Sequence, residues 1–250
     1  MNYFFLFLIL TISNFVFSQT ELPFIDGERA SYNLYFGSIK VGYADMEIKE
    51  SIINEKATIH AIGRARSAPF FDWFFKVRDL YETFIDKNTI LPIIFNRSVN
   101  EGGYKINQQY YFDHMKSTVA TKDSIFFIPP LTQDMLSAFF LARTYKKEYI
   151  TKYKSIYVPI FMDNDNYLLE IKYLYNDVIE TKWGKIECMV FQPLMQEGRV
   201  FENGEKLKIW ITDDSNHMLL RVEAEIWAGT VRAIISDYKN SKYPLTIIKN

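Results

Sequence analysis

One cysteine and three histidines in 250 residues leave little of the usual catalytic inventory. A lone Cys188 has no internal disulfide partner, so the fold must rest on its packed core. It also sits inside a strand pattern, between Glu187 and Met189, where a thiol ends up buried and inert. His60, His114 and His217 are too scattered for a zinc site, which needs three or four ligands. No Gly-x-Ser-x-Gly elbow and no glycine-rich phosphate loop occurs. Nucleophilic hydrolysis by serine or cysteine is not expected, because either needs a base within hydrogen-bond reach. Asp163-Asn164-Asp165-Asn166 opens like a calcium loop, but Tyr167 and Leu168 follow where a ligand and a glycine belong. That run reads as a hairpin turn. No metal or other cofactor is expected.

Charge of one sign is lacking too. Lys and Arg number 29 against 30 Asp and Glu, a net charge of −1, and no basic cluster stands out. Binding to nucleic acid needs such a cluster to offset phosphate charge, so that class of partner is excluded. Helical periodicity is confined to one segment, and no repeat or low-complexity linker divides the chain.

What is present begins with a leader. An uncharged apolar run from Tyr3 to Ile12 is followed by Ser13, Asn14 and the small Ser18. This is a secretory signal pattern over residues 1–18, with cleavage after Ser18. Thr11, Ser13 and Asn14 interrupt the run well before the about 20 apolar residues of a membrane span. No cysteine lies near the cleavage point to carry a lipid anchor. The expectation is an exported protein, periplasmic or associated with the outer surface, with no transmembrane segment after the leader. Residues 19–250 read as a single β-rich domain.

The alternation of side chains carries most of the fold. Lys206, Lys208 and Trp210 share one parity, and Leu207, Ile209 and Ile211 the other. Arg221, Glu223 and Glu225 then alternate with Val222, Ala224 and Ile226. A period of two puts successive side chains on opposite faces, so these runs predict strands with one apolar and one wet face. Turn signals at Asp213–Asn216 and Ala228-Gly229 join them into an antiparallel meander reaching Tyr238. Similar strands are predicted over 31–36, 39–49, 58–65, 77–86, 93–99, 104–113 and 116–122. After the helical segment they resume over 155–162, 167–175, 178–181 and 186–192. In the strand over 39–49, small Gly42 and Ala44 on the inner parity imply close approach of another backbone or a bulky ring.

The period changes once. After Pro129-Pro130, Thr132 is placed to cap a helix over Gln133–Tyr145, with Leu136, Phe139, Phe140 and Arg143 forming its buried stripe. Gln133 and Asp134 then lie in its first turn, where negative charge is favoured. The expected architecture is mainly β: a long curved antiparallel sheet, or a flattened open barrel, with one packed α-helix near 132–145. Aromatics make up 17% of the chain. They suit strands and also the wall of an apolar groove for a greasy ligand. The cluster Phe70-Phe71-Asp72-Trp73-Phe74-Phe75 reads as a strand entrance whose rings fill one end of the core. Its other reading is a lip that touches membrane or substrate.

Candidate site residues are few. Arg78, Asp79, Arg97 and Glu101 fall on two neighbouring strands, where an ionic network would fix register. Asp79 and Glu82 are three apart on one strand and so on opposite faces. A rival chemistry, hydrolysis of a carbohydrate or lipid by paired carboxylates, would draw on Asp79, Glu101 or Asp134, two of them within about 5–10 Å in a cleft.

Several motifs occur in a familiar order. They are Gly27-Glu28, Tyr35-Phe36-Gly37-Ser38-Ile39, Gly42, Ala44, Arg78-Asp79, Glu82 and Ile85-Asp86. Arg97, Glu101-Gly102-Gly103-Tyr104, Gln133-Asp134-Met135-Leu136-Ser137-Ala138-Phe139, Trp210 and Thr212-Asp213-Asp214 follow, with Gly229, Val231 and Ala233. The pattern resembles the bacterial exported family called domain of unknown function 3108 over nearly all of the chain beyond the leader. That resemblance implies a signal peptide and a largely antiparallel β fold, with no assigned activity. Function is therefore expected to be binding or scaffolding in the cell envelope, for an apolar ligand such as lipid or for envelope glycan. A purely structural part in an outer-membrane assembly is the third reading.

Overall fold

In the computed structural model the described residues are 21–195, 206–226 and 229–249; the expected leader lies outside them. The alternating runs become fourteen strands. The first eight are β1 (Arg29–Phe36), β2 (Ile39–Ile53), β3 (Lys56–Ser67), β4 (Arg78–Asp86), β5 (Pro92–Glu101), β6 (Tyr104–Asp113), β7 (Thr118–Ala120) and β8 (Ile125–Phe127). Helices α1 (Met135–Arg143) and α2 (Lys147–Tyr153) follow. The chain then returns to β9 (Ser155–Met162), β10 (Asp165–Thr181), β11 (Gly184–Met195), β12 (Lys206–Thr212), β13 (Leu219–Ile226) and β14 (Gly229–Lys239).

All fourteen belong to one sheet, in the order β8-β7-β6-β5-β4-β3-β2-β1-β14-β13-β12-β11-β10-β9. Every pairing is antiparallel, and strands from the two sides of the helices meet where β1 pairs with β14. Such a sheet does not stay flat, because each strand step adds right-handed twist. Register shifts in β1, β4, β10 and β12 sharpen the curl. Gly42 is needed on the concave side, where a Cβ would collide with the carbonyl oxygen of Arg66. The close approach inferred from Gly42 is thus made by backbone.

The curl brings the sheet's two ends together without closing it. Asn166, at the start of β10, donates to the carbonyl of Phe127 in β8 at 2.9 Å. Gln133 forms an isolated parallel bridge with Ile160, through Gln133 N to Pro159 O at 2.8 Å and Phe161 N to Gln133 O at 2.9 Å. These bonds occupy backbone groups of β9 that an edge strand would leave open.

The helical segment departs from expectation in three ways. The cap is Asp134, not Thr132: its carboxylate accepts from Leu136 N and Ser137 N at 2.8 Å, while Ser137 Oγ accepts from Asp134 N. Thr132 instead donates to Pro129 O at 2.7 Å, and Gln133 is spent on the bridge to β9. The helix is accordingly shorter. It ends at Arg143, and a second helix, α2, begins at Lys147. Lys147 opens this second helix and reaches Asp213 at 2.5 Å.

Two strand expectations also change. The runs over 167–175 and 178–181 are one strand, β10, bulged between Tyr173 and Tyr175. The Trp210 parity of β12 is not wet. Trp210, Cys188, Val190 and Leu220 pack into a core with Leu245 of the C-terminal tail, and Trp210 donates to Asp177 at 2.9 Å. The far end of the β10–β11 hairpin, where Trp183 packs on Tyr238 of β14, closes this second layer.

Candidate ligand cleft

Helix α1 lies on the concave side, and its sequence explains what it leaves open. Phe140 fills a core with Phe24, Ile48, Ile59, Ala61 and Ile85. On the neighbouring stripe Ala138 and Ala142 are small, and Phe139 stands beside them. Facing these are the inward positions of β9 to β12. Ile156 and Ile160 come from β9, Leu169 and Ile171 from β10, Met189 and Phe191 from β11, and Ile209 and Ile211 from β12. Short side chains on the helix opposite a wide strand surface leave a cleft of about 290 Å³. Its lining is hydrocarbon, thioether and ring nearly throughout. Among the described residues Arg143 and His217 are the exceptions.

Arg143 belongs to a buried ionic cluster. Its Nη1 donates to Glu28 Oε1 at 2.6 Å, and Nη2 donates to the Asn216 carbonyl at 2.9 Å. The guanidinium also lies 5.0 Å from the Phe24 ring centre. The side chains of Arg143 and Glu28 are only 4% and 6% exposed, so each charge depends on the other for compensation. Tyr32 packs nearby, and burial, aided by the charge of Glu28, pushes its phenol above the ordinary range. His217 holds Arg143 from the other side. Its Nδ1 lies 2.7 Å from the Arg143 carbonyl, which only accepts, so Nδ1 carries the proton in this bond.

The five residues singled out in the sequence do not form this cleft. Asp134 is wholly buried under α1, where it accepts from Thr83 Oγ1 at 2.6 Å as well as capping the helix. Burial pushes its carboxyl above the usual range, against the pull of those donors. Arg78 clasps Asp72 at 3.0 and 2.5 Å and holds the loop between β3 and β4. Asp79 accepts from Asn100 N at 3.0 Å, locking β4 to β5. Glu101 lies beside Asp79, and burial together with that hydrogen-bonded neighbour raises its carboxyl, opposed by Arg97. Arg97 is itself bound to Asp163 at 3.0 Å and ties β5 to the β9–β10 turn. Glu82 lies on the opposite face and meets His60 at 3.0 Å.

The structure thus brings Asp79 and Glu101 together, leaves Asp134 apart, and puts none of the three on the cleft wall. The sequence signal for the cleft was an arginine in an otherwise apolar helical stripe, flanked by two alanines. Cys188 is buried, and desolvation pushes its thiol up to about 12.

The family model described as "Protein of unknown function (DUF3108)" matches residues 31–236. The chain belongs to the DUF3108 family. No curated protein matches its sequence. Among solved structures, a β-barrel-like protein of domain of unknown function DUF1849 from Brucella abortus superposes with a TM-score of 0.58 at 10% identity. That match covers 85% of this chain and 97% of the other. It shows that this DUF3108 chain shares a barrel-like β fold, and nothing about activity. A "putative lipoprotein" from Parabacteroides distasonis reaches a TM-score of 0.38 at 9% identity, over 87% of this chain and 97% of that one. That distance is too great to add to the fold of this DUF3108 member.

Proposed function

We propose that the protein is a non-enzymatic binding protein of the bacterial cell envelope, and that it holds an apolar ligand of the acyl-chain kind in the cleft between α1 and β9–β12. The observation that carries this reading is the cleft wall itself. A concave space of about 290 Å³ is lined by apolar side chains, with Arg143 as the one charged group among the described residues. Pockets of this kind, apolar with few polar groups at fixed positions, are the usual form of small-molecule sites. The leader pattern over residues 1–18 supports export, to the periplasm or the outer surface. Among the described residues, no helix is long and apolar enough to cross a membrane.

Organic extraction of the purified protein followed by mass spectrometry tests the proposal. The expected result is a co-purifying lipid that is lost from an Ala142→Phe variant, whose ring would occupy the cleft. A protein that carries no lipid and also fails to bind a fluorescent fatty acid would refute it. Hydrolysis by paired carboxylates is the second reading, and the approach of Glu101 to Asp79 is the observation in its favour. It requires turnover of a glycan or lipid ester that Asp79→Asn and Glu101→Gln both abolish.

A further inference from the structure

We infer that the loop between β3 and β4 is a membrane-docking wedge, seated on the headgroup region of an anionic lipid bilayer. The sequence reading that had its rings filling the core is not what the fold shows. Phe70, Trp73 and Phe74 are 73%, 84% and 66% exposed. They cover one another instead of any strand: Trp73 meets Phe74 edge-on at 4.7 Å, and Phe70 lies 6.1 Å from Phe74. Exposed aromatic clusters of this size mark an interaction surface. Trp and Phe are the side chains that favour the boundary between headgroups and acyl chains.

The wedge is held out by construction. Phe71 N donates to Ala68 O at 2.8 Å and Phe75 N to Phe71 O at 2.8 Å, which closes a short 3-10 turn over Phe71–Trp73. Arg78 grips both oxygens of Asp72, Ser67 Oγ bonds the same carboxylate, and Val77 N donates to Ser67 Oγ at 2.9 Å. Ala68 N ties the loop to β2 through Val41 O at 2.8 Å. Phe75 lies where a side chain on Gly102 would be, so the β5–β6 turn accommodates the wedge only as glycine. A loop free to collapse would turn its rings inward. This one is pinned with them outward.

Charge indicates what it meets. Lys76 follows the wedge directly, Lys40 and Arg66 stand at the adjoining ends of β2 and β3, and Lys105 lies just past the β5–β6 turn. None of the four is ion-paired with another described residue, and Lys40 and Arg66 both lie over the Tyr43 ring, at 4.2 and 4.7 Å. The acid within the wedge, Asp72, is already paired with Arg78. Apolar rings ringed by free cations match an anionic lipid surface, where each nearby Lys or Arg adds attraction. Exposed Ile39 and Phe36, at the β1–β2 turn, extend the apolar surface at the same end of the sheet.

Register places the cleft at this end too. Phe36 pairs with Val231, Val231 with Ala224, and Ala224 with Leu207, a residue of the cleft wall. The docking inference does not depend on the cleft being filled. It is tested by co-sedimentation of the purified protein with vesicles of phosphatidylcholine alone or with 30% phosphatidylglycerol, for wild type and Trp73→Ser/Phe74→Ser. Any contribution of the leader is common to both proteins and cancels. The expected result is binding that rises with phosphatidylglycerol, falls severalfold at high salt, and is at least tenfold weaker in the variant, whose melting temperature is unchanged. Equal binding by both proteins, or no binding by wild type, overturns the inference. So does a dimer of wild type that the double substitution dissolves, since the rings would then belong to a contact between two copies. Lipid retained in the cleft of a variant that no longer binds vesicles separates this surface from the cleft.

Discussion

Replacing Asp134 by alanine removes one side chain and three hydrogen bonds. Its carboxylate accepts from Leu136 N and Ser137 N at the start of α1 and from the Thr83 hydroxyl of β4. Loss of an N-cap costs about 1–2 kcal/mol. A hydroxyl left buried without a partner adds about 1–3 kcal/mol, and Thr83 is fully buried. The sum is roughly 2–5 kcal/mol, which in a domain of this size lowers the melting temperature by about 4–20 °C. Asparagine keeps the acceptor for both backbone donors, so Asp134→Asn should lose less than half as much. It also removes a pH dependence of known sign. Burial raises the Asp134 carboxyl in the folded chain, so the native state binds the proton more firmly than the unfolded state does. That contribution is fully present below the ordinary aspartate range and is lost as pH rises through the raised value. Thermal melts followed by circular dichroism between pH 3.5 and 8 should show the asparagine variant gaining on wild type as pH increases. An alanine variant that melts within 1 °C of wild type throughout, or an asparagine variant whose difference from wild type does not change with pH, would refute the reasoning. Because α1 is one wall of the cleft, the alanine variant should also retain less extracted lipid.

Other outcomes follow from the same geometry. Arg143→Met leaves the Glu28 carboxylate buried and alone, at a cost of about 3–5 kcal/mol, and adding Glu28→Gln should recover part of it in urea melts. Glu101→Gln removes a carboxyl that burial and Asp79 hold above its usual range. Stability tied to that proton is lost as pH rises through the raised value, so the variant should overtake wild type toward neutral pH and match it below the ordinary glutamate range. Cys188, with its thiol raised to about 12, should resist alkylation at pH 8 in the native protein and react promptly in denaturant.

Strands were legible wherever one face met water and the other a core, as in β2, where Gly42, Ala44, Met46 and Ile48 share the concave parity. Alternation is a local signal, and pairing of neighbours in sequence preserved it. The signal weakened where both faces are covered. Trp210 looked like a solvent-side residue because Lys206 and Lys208 share its parity, yet the β12 bulge after Trp210 and the C-terminal tail bury it. The helix cap was misread for a similar reason. Thr132 and Asp134 are both capable caps, and the choice was made by Gln133, whose backbone bonds β9 and keeps the chain extended for one more residue. The charged candidates were placed on the right neighbouring strands, but their partners came from elsewhere: Asp72 for Arg78 and Asp163 for Arg97. Neither contact leaves a trace in spacing. The cleft was hidden for the same reason, since it arises only when four strands from 155–212 curl under a helix whose other side serves a different core.

The two carboxyls that do meet, Asp79 and Glu101, bear on how the sheet is held and not only on what it might catalyse. They stand on the concave face at the ends of β4 and β5, where Val77 makes its last bridge to Glu101. Asp79 is occupied by Asn100 N, in the adjacent strand. Arg97, on the same face, spans to Asp163 and so joins β5 to the turn before β10, across the gap that hydrogen bonding between strands does not close. With that cation committed to the far side, Glu101 gains less from it than burial and its carboxyl neighbour take away, which is why its carboxyl lies above the usual range. Acid–base catalysis on a glycan needs one carboxyl ionised, one protonated, and a space between them for the scissile bond. Here the two carboxyls lie side by side, and the open volume lies elsewhere, against α1, where no carboxylate among the described residues lines the wall. The polar cluster ties the curl at one side while the apolar cleft is left open at the other, which supports the proposal of a site for a greasy molecule.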